Sequence, residues 1–371
     1  RLIHEDRGVS ASRQASAIAH RSDIIDIYNN SWGPDTDDGA NMAGPGTLSF
    51  SAITNAIKNG RNGLGSIYIW AAGNGSAIGS NVNYDGWASM RYSIAVGAVG
   101  DQGKRSSYSE PGASMLVCAP SSGNTSSIRT TDLQGQNGVD PGDCRIDFGG
   151  TSSASPLVAG VVALMLEANP DLGWRDVQHI LAKTAVRVAR TEADWKPNGA
   201  GHWVNHKFGF GRVDAAAAVK VAQTWINVPP STEYDSDEIV IEQSIPDNSS
   251  TGIEITQTVN SNIRIEHVSL TVDLDAAEAD TMDWGNLQIT LTSPSGTESI
   301  LASPHTDAKK SYPEWTYWTV RCLDEEAEGE WRLNLSDRRA GNVHIAKSWR
   351  LKLYGTAIEE GDNQPPIAND D

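Results

Sequence analysis

The chain has 371 residues, of which 39% are hydrophobic and 20% are charged, and this length is enough for two globular domains with separate cores. Its formal net charge of −18 argues against a nucleic-acid partner, because phosphate binding requires Lys and Arg side chains. No run of about 18 consecutive apolar residues is present, so we expect no membrane span. An acidic surface suits a calcium-rich extracellular medium, although ordinary solvation is the commoner explanation.

The chain has three cysteines, Cys118, Cys144 and Cys322. An odd number in a secreted protein indicates a free thiol or a bonding partner outside the chain. No CxxC motif is present, so we predict no zinc site. The chain begins Arg1-Leu2-Ile3, with neither Met nor an apolar signal stretch, and we interpret this start as the interior of a longer protein.

Residues 1–227 alternate short apolar runs with helical patterns. Strands are predicted at residues 24–28, 66–72 and 92–99, with a helix at 49–60. Three further helices are predicted at residues 151–168, 173–185 and 213–224. Strand, helix and strand in this order predict an α/β domain with a parallel sheet and right-handed crossovers.

The pattern changes after the last of these helices. Residues 228–237 are rich in Pro, Ser and Asp and are predicted to be a linker. Apolar residues then recur at every second position, as at Leu333 and Leu335, which predicts an all-β sandwich or jelly roll over residues 238–356. Residues 357–371 are polar, and we interpret them as a linker or the start of a further Ig- or cadherin-like module, with a disordered C-terminus as the alternative.

The segment GGTSSASP at residues 149–156 combines small residues with a serine at the start of a predicted helix. The hydroxyl of Ser152 would lie beside free backbone N–H groups and the positive end of the helix dipole. Those donors can stabilise the oxyanion that forms when a hydroxyl attacks a carbonyl. A simple Ser/Thr helix cap is the alternative.

A second segment, Ala71-Ala72-Gly73-Asn74-Gly75, follows the buried strand predicted at residues 66–72. Open α/β sheets bind ligands at the carboxyl ends of their strands. The side-chain amide of Asn74 is therefore a candidate donor to the same oxyanion, whereas an ordinary turn is the alternative interpretation of Gly-Asn-Gly.

Residues 149–181 closely resemble the serine segment of subtilases of the kexin/furin type, and residues 70–75 resemble the segment that carries the oxyanion-binding asparagine. The resemblance implies a subtilisin-like parallel α/β domain, truncated at its N-terminus, with Ser152 as the nucleophile and Asn74 as an oxyanion donor. It also implies a serine endopeptidase that acts on polypeptides.

The substrate cleft follows from the same resemblance. Ser31, Trp32, Gly33 and Pro34 match one wall of the family's pocket for the residue before the cleaved bond, and Ala71, Ala72, Gly73 and Asn74 match the opposite wall. The carboxylates implied to receive a basic side chain are Asp37, Asp85 and Glu110, by charge-assisted pairing. Asp35 and Asp38 are alternatives to Asp37, because the loop is one residue longer than in the family, and a merely solvated loop is the other interpretation.

Two departures bear on specificity and metal binding. Ser80 stands where the family has an aspartate that helps to hold calcium, and Ala43 stands where furin-like enzymes have an acidic residue. We therefore expect a preference for Arg or Lys before the cleaved bond, with weaker selectivity for paired basic residues. A structural calcium ion is implied, with Glu110 as a candidate ligand, and no organic cofactor is expected.

Two members of the catalytic triad are missing from the sequence. Subtilases carry Asp, His and Ser in this order, and the His accepts the proton of the Ser. None of the eight histidines is followed by Gly, as the family motif requires, so we assign no His or Asp. An N-terminal segment carrying both is the predicted partner. The resemblance places the bonding partner of Cys144 in that segment too, although a Cys118–Cys144 bond is possible.

Motifs between residues 244 and 355 resemble the P domain of proprotein convertases, so His267 and Trp318 are expected in the core or at an interface. His206 lies in a segment of the first domain that resembles a structural part of the family, and it is expected to pack or to form hydrogen bonds. We expect a monomer, secreted or otherwise extracellular (periplasm and cell surface included), of bacterial origin and fragmentary at both ends. The alternative function is a catalytically inactive, calcium-stabilised binding or adhesion module.

Overall fold

The first half of the chain folds around a parallel sheet. The computed structural model describes residues 9–34, 41–123, 125–276, 283–307, 312 and 314–358. Within these residues, four strands are hydrogen-bonded in chain order and every pair is parallel: β1 Ile27–Asn30, β2 Ile67–Ala71, β3 Ser93–Val99 and β4 Met115–Pro120. Strands β2 and β3 are buried along their whole length, as expected for a sheet covered on both faces. The predicted parallel α/β class is confirmed.

Six helices surround this sheet in the described part of the chain. They are α1 Ala11–Ile18, α2 Thr47–Asn59, α3 Gly86–Ser89, α4 Thr151–Ala168, α5 Trp174–Thr184 and α6 Ala215–Ala222. Helix α4 packs against all four strands and α6. Its Val158, Val162 and Met165 are fully buried in the same core as Ile69 and Val96 of the sheet.

One local prediction is wrong at its start, and several strands were not predicted. The predicted strand at residues 24–28 begins at Ile27, because residues 21–24 form a turn in which the Ile24 N–H donates to the Arg21 carbonyl at 2.9 Å. Strand β4 and two short hairpins were not predicted at all. The hairpin strands are β5 Ile128–Thr131, β6 Cys144–Phe148, β7 Lys196–Pro197 and β8 Trp203–Val204.

Helix α4 is long and apolar enough to cross a membrane, by length and composition alone. Half of its 18 residues are buried within the protein, and the core helix of a globular domain satisfies the same criteria. The sequence prediction of no span rested on uninterrupted apolar runs, which Ser155, Pro156 and Gly160 break.

The second half of the chain is a β-sandwich, as predicted. Its strands are β9 Ser231–Asp235, β10 Ile239–Ile245, β11 Ile253–Val259, β12 Ile263–Ala276, β13 Leu287–Thr292, β14 Glu298–Ala302, β15 Thr316–Thr319, β16 Gly329–Asp337 and β17 His344–Ala357. One antiparallel sheet has the order β10-β17-β12-β15, with β9 also paired to β17, and the other has the order β11-β16-β13-β14. Both sheets contribute to one core, in which Trp331 and Trp349 are buried.

The segment predicted as a linker, residues 228–237, is not free of structure. Strand β9 lies within it and pairs antiparallel with β17, from Ser231 opposite Thr356 to Asp235 opposite Lys352. This strand was not predictable from the sequence because its apolar content is low. The chain therefore enters the second sheet directly after the first half ends.

The two halves are joined by buried charged and polar contacts. Arg175 on α5 donates to Glu266 on β12 at 2.7 Å, and His179 Nε2 lies 3.1 Å from the same carboxylate. Burial by itself would raise the pKa of Glu266, but the hydrogen bonds from His179 and Arg175 outweigh it and hold that pKa well below its ordinary range. Asp324 pairs in the same way with His202 at 2.8 Å and Lys183 at 2.9 Å.

The histidines singled out in the sequence lie at this interface, as expected. His206 Nδ1 lies 3.0 Å from Asp194 Oδ1, and its Nε2 accepts a hydrogen bond from the Ile300 N–H at 2.9 Å. An accepting Nε2 requires a neutral ring, and burial together with Arg321 lowers the pKa of His206 accordingly. His267 contacts Gln178 at 2.7 Å, and its pKa is lowered to about 3, mainly by burial.

Candidate active site

A pocket of about 200 Å³ lies at the carboxyl ends of β1 and β2. It brings together most of the residues that the sequence predicted for the site: Ser31, Trp32, Gly33, Pro34, Ala71, Gly73, Asn74, Asp85, Glu110 and Ser152. Ala72 is fully buried beneath the wall, where its N–H donates to the Val96 carbonyl at 3.0 Å. Asp37 lies outside the described residues.

Ser152 is the second residue of α4, directly after a glycine that turns the chain. Gly150 has a φ of +75°, a conformation that glycine adopts without strain. Neither the Ser152 hydroxyl nor its N–H has a hydrogen-bond partner among the described residues. The hydroxyl and a free N–H at the positive end of α4 are therefore both available to a ligand in the pocket.

Asn74 is held in a defined orientation by the residue before the serine. Its Oδ1 accepts hydrogen bonds from the Thr151 N–H at 2.8 Å and the Thr151 hydroxyl at 3.0 Å. Because the Thr151 N–H can only donate, the Asn74 atom that it contacts is the amide oxygen. The Nδ2 group of Asn74 is therefore free to donate into the pocket. This role of Thr151 was not predicted, because nothing in the GGTSSASP motif shows where the Thr151 hydroxyl points.

One wall of the pocket is attached to the serine helix and to a tryptophan cluster. The Ser31 hydroxyl donates to the Ser152 carbonyl at 3.0 Å. The indole N–H of Trp70 donates to the Trp32 carbonyl at 2.6 Å, and the rings of Trp70 and Trp87 stack with centroids 5.4 Å apart. Trp32 packs edge-on against both rings and stays 41% exposed at the pocket. This wall is therefore fixed by side chains from three different segments.

Two buried carboxylates line the pocket. Asp85 caps the short helix α3 and accepts from the Trp87 N–H at 2.8 Å, and Glu110 accepts from the Gly75 N–H at 2.8 Å. Burial raises the pKa of Asp85 to about 8 and that of Glu110 to about 7. Among the described residues, neither carboxylate has an Arg, Lys or His partner. A cationic ligand would therefore find two unpaired acidic groups.

Glycines let the walls approach these carboxylates closely. A Cβ atom at Gly33 would lie 2.7 Å from Asp85 Oδ2, and one at Gly73 would collide with the carboxyl group of Glu110. Gly73 also has a φ of +102°, which side chains rarely tolerate. The pocket shape therefore depends on glycine at both positions.

Residues 2–211, more than half of the chain, match the family model described as the subtilase family. This chain belongs to the subtilase family. Residues 265–353 of this subtilase match the model of the proprotein convertase P-domain. The β-sandwich therefore coincides with the region where the sequence suggested a P domain.

This subtilase is similar to several curated proteases. It is 36% identical to protease KEX1 of Kluyveromyces lactis over 360 residues, which cover 95% of this chain and 46% of that protein. It is 39% identical to proprotein convertase subtilisin/kexin type 6 of Rattus norvegicus over 367 residues, covering 95% of this chain and 38% of that protein. The chain thus spans less than half the length of these relatives, and the comparisons do not support a bacterial origin.

A solved structure shows the same fold. The serine protease of Aeromonas sobria, in its complex with a chaperone, superposes with a TM-score of 0.86 at 22% sequence identity. The match covers 96% of this chain and 76% of that one. The Aeromonas structure therefore has counterparts of both the parallel α/β domain and the β-sandwich. At this sequence identity, the similarity shows the fold alone.

The described part of this subtilase supplies no histidine to the pocket. Of the described histidines, none is among the residues that line it. His4 lies outside the described residues. That the base of Ser152 lies outside this chain stays a prediction.

The cysteines of this subtilase are all free thiols in the structure. Cys118 is buried in β4, and Cys144 is exposed at the start of β6. The Cys118–Cys144 bond that the sequence left open is therefore not formed. A partner for Cys144 outside this chain stays a prediction.

The described residues show no cluster of side chains that would mark a metal site. They contain no group of three or more His, Cys, Asp and Glu side chains placed to hold a metal ion. Calcium takes about six to eight oxygen ligands, and Glu110 offers one carboxylate beside the hydroxyl of Ser80. Glu110 as a metal ligand remains a prediction that these residues alone do not support.

Proposed function

We propose that this subtilase forms the serine-bearing part of an endopeptidase that cleaves peptide bonds after Arg or Lys. The observation that supports the proposal best is the pocket itself. It has an unpartnered serine hydroxyl and an oriented asparagine amide among its lining, together with two unpaired carboxylates. The two sets of groups match the two needs of such an enzyme, attack on a carbonyl and recognition of a cation.

In the proposed reaction, Ser152 Oγ attacks the carbonyl carbon of the peptide bond and its proton passes to a base. The resulting oxyanion accepts hydrogen bonds from Asn74 Nδ2 and the Ser152 N–H. The tetrahedral intermediate collapses, the amine leaves with a proton from the base, and Ser152 carries the acyl group as an ester. Water then hydrolyses this ester and restores the serine. No step of this reaction uses calcium.

The base and its orienting aspartate belong, in this proposal, to a segment upstream of Arg1. Two features support a docking place for it. Within the described residues, β1 pairs only with β2, so its other edge is open. Helix α4 exposes Leu157 and Leu164 by 41% and 55%. Apolar surface next to an open sheet edge favours the binding of a further strand or helix.

The first test concerns Ser152. In the full-length protein, a fluorophosphonate probe is expected to label the wild type and to leave Ser152→Ala unlabelled, because only an activated serine hydroxyl reacts. Ser51, which is exposed on α2, supplies the control: the Ser51→Ala variant should be labelled like the wild type. Peptide mass spectrometry would identify the modified residue. An unlabelled wild type whose upstream sequence carries both Asp and His would contradict the proposal.

The second test concerns the preference for basic residues. Benzamidine, a small amidinium cation, is expected to bind the wild type, and Asp85→Asn should weaken its Kd by about 10- to 100-fold, because hydrogen bonds to charged groups are strong. Asp171→Asn, at an exposed position after α4, should leave the Kd unchanged. Titration calorimetry measures both. Equal affinities for the Asp85→Asn variant and the wild type would remove the basis for Arg or Lys specificity.

We propose that the first domain covers residues 1–227, that the second domain begins with β9 and ends at residue 356, and that residues 357–371 form a further linker or module. The protein is proposed to act outside the cell as a monomer, and structural calcium is expected elsewhere than on Glu110 alone. The alternative of a binding or adhesion module is not favoured, since the predicted site residues lie together in one pocket.

A further inference from the structure

Three consecutive residues, Asn83, Tyr84 and Asp85, connect the second domain to the substrate pocket. Tyr84 and Asp85 both line the pocket. The Tyr84 hydroxyl, however, is bonded to the β-sandwich: it donates to the Ser303 carbonyl at 2.9 Å and accepts from the Ser303 N–H at 3.0 Å. One buried hydroxyl therefore satisfies both backbone groups of a residue that is 219 positions away.

Asn83 makes a second, parallel attachment. Its Nδ2 donates to the Trp318 carbonyl at 3.0 Å, and its Oδ1 accepts from the Trp318 N–H at 2.8 Å. Its own carbonyl accepts from the indole of Trp315 at 3.1 Å. Asn83 and Tyr84 are both almost completely buried, so water cannot replace these bonds.

No flexible segment separates these attachments from the pocket. Asp85 follows Tyr84 directly, its N–H donates to the Val82 carbonyl at 3.2 Å, and its carboxylate caps α3 through Trp87 and Ala88. A shift of the Tyr84 backbone would therefore move the Asp85 carboxylate. Consecutive Cα atoms stay about 3.8 Å apart, so the Asp85 backbone must follow any displacement of Tyr84 closely.

We propose that Tyr84 is a positioning residue, through which the second domain holds the Asp85 carboxylate at the pocket. Only the expected effect on substrate binding rests on the proposed function, whereas the attachment of residues 83–85 to the β-sandwich does not. It assigns the β-sandwich a part in substrate recognition, in addition to the stability that any docked domain contributes. Neither Ser303 nor Trp318 is among the residues that line the pocket, so both act through residues 83–85.

The test replaces Tyr84 by phenylalanine, which keeps the ring and removes the hydroxyl. Benzamidine binding is expected to weaken by about 5- to 10-fold, the loss typical of one buried hydrogen-bond network. In the full-length enzyme, KM for an Arg substrate should rise by a similar factor with kcat unchanged, because Ser152 and Asn74 are not bonded to this segment. A fall in kcat with constant KM would overturn the proposal.

Tyr68→Phe is the matched control. Tyr68 is equally buried, and its hydroxyl donates to the Ile18 carbonyl at 2.9 Å, away from the pocket. This variant should bind benzamidine within about twofold of the wild type while losing a comparable hydrogen bond. If both variants weaken binding equally, the effect is general destabilisation and the proposal fails.

A double-variant cycle tests whether Tyr84 acts through Asp85. In the Asp85→Asn background, Tyr84→Phe should change benzamidine affinity by less than about twofold, because the group that it positions is no longer charged. If the fold-changes in benzamidine affinity caused by the two substitutions instead multiply, Tyr84 contributes to binding independently of Asp85. This result would contradict a positioning role.

Hydrogen exchange gives a readout that needs no ligand. The amide protons of Asp85, Trp87 and Ala88 are expected to exchange faster in Tyr84→Phe than in the wild type or in Tyr68→Phe. Unchanged exchange at these amides would overturn the inference. If the wild type fails to bind benzamidine, the proposed specificity falls, while the exchange rates still decide whether the second domain holds this segment.

Discussion

Replacing Asn74 by leucine in the full-length enzyme is expected to lower kcat by about 10²–10³-fold and to leave KM within about threefold of the wild-type value. Leucine has a similar size but no N–H to donate. The Nδ2 group of Asn74 is directed by two hydrogen bonds from Thr151 to its Oδ1. An oriented donor of this kind stabilises the charge that appears only in the transition state, so its loss affects kcat rather than ground-state binding.

Steady-state kinetics with a peptide amide substrate measures the Asn74 effect. Asn55→Leu, which makes the same change at an exposed position on α2, should leave both constants unaltered. Thr151→Val is informative as well, because it removes one of the two donors that orient Asn74 and should give a smaller loss in kcat. A rise in KM at constant kcat for Asn74→Leu would show that this side chain binds substrate instead of the oxyanion.

Replacing Glu266 by glutamine is expected to lower the free energy of unfolding by about 3–5 kcal/mol. The change keeps the shape of the side chain but removes the negative charge at the centre of the interface. Arg175, only 11% exposed, would then face a neutral amide, and His179 would lose its carboxylate. Removing one partner of a buried pair is costly because the remaining charge has neither water nor a counter-ion.

Urea unfolding at neutral pH measures the Glu266 effect. The surface pair of Lys347 and Glu242, with side chains 34% and 54% exposed, supplies the control. Glu242→Gln should cost less than about 1 kcal/mol, because exposed ion pairs contribute little. Similar losses for the two glutamine variants would mean that the interface charges are effectively solvated.

The positions of the serine and the asparagine were predictable because each lies in a short contiguous segment with its own local structure. Ser152 follows a glycine at a helix start, and Asn74 follows a buried strand, so both signals fall within a few residues. The parallel sheet was predictable for a similar reason, since continuous apolar runs mark strands covered on both faces.

Other features were not predictable because their causes lie far apart in the chain. The orientation of Asn74 depends on Thr151, 77 residues later, and the contact of Gln178 with His267 joins positions 89 residues apart. Strand β9 has few apolar residues and forms because β17 offers it a partner edge. Local composition contains no information on such pairings, so only the folded structure could show them.

The attachment of residues 83–85 to the β-sandwich also has a consequence during biosynthesis. Tyr84 and Asn83 bond to positions 219 and 235 residues later in the chain. At about 5–20 residues per second, a ribosome needs roughly 10–45 s to add the first of these intervals. Once Ser152 has been added, the nascent chain contains the serine but not yet the contacts that hold Asp85, because Ser303 and Trp318 come later in the sequence. The Asp85 side of the pocket therefore reaches its final arrangement only after the β-sandwich has been synthesised and has docked.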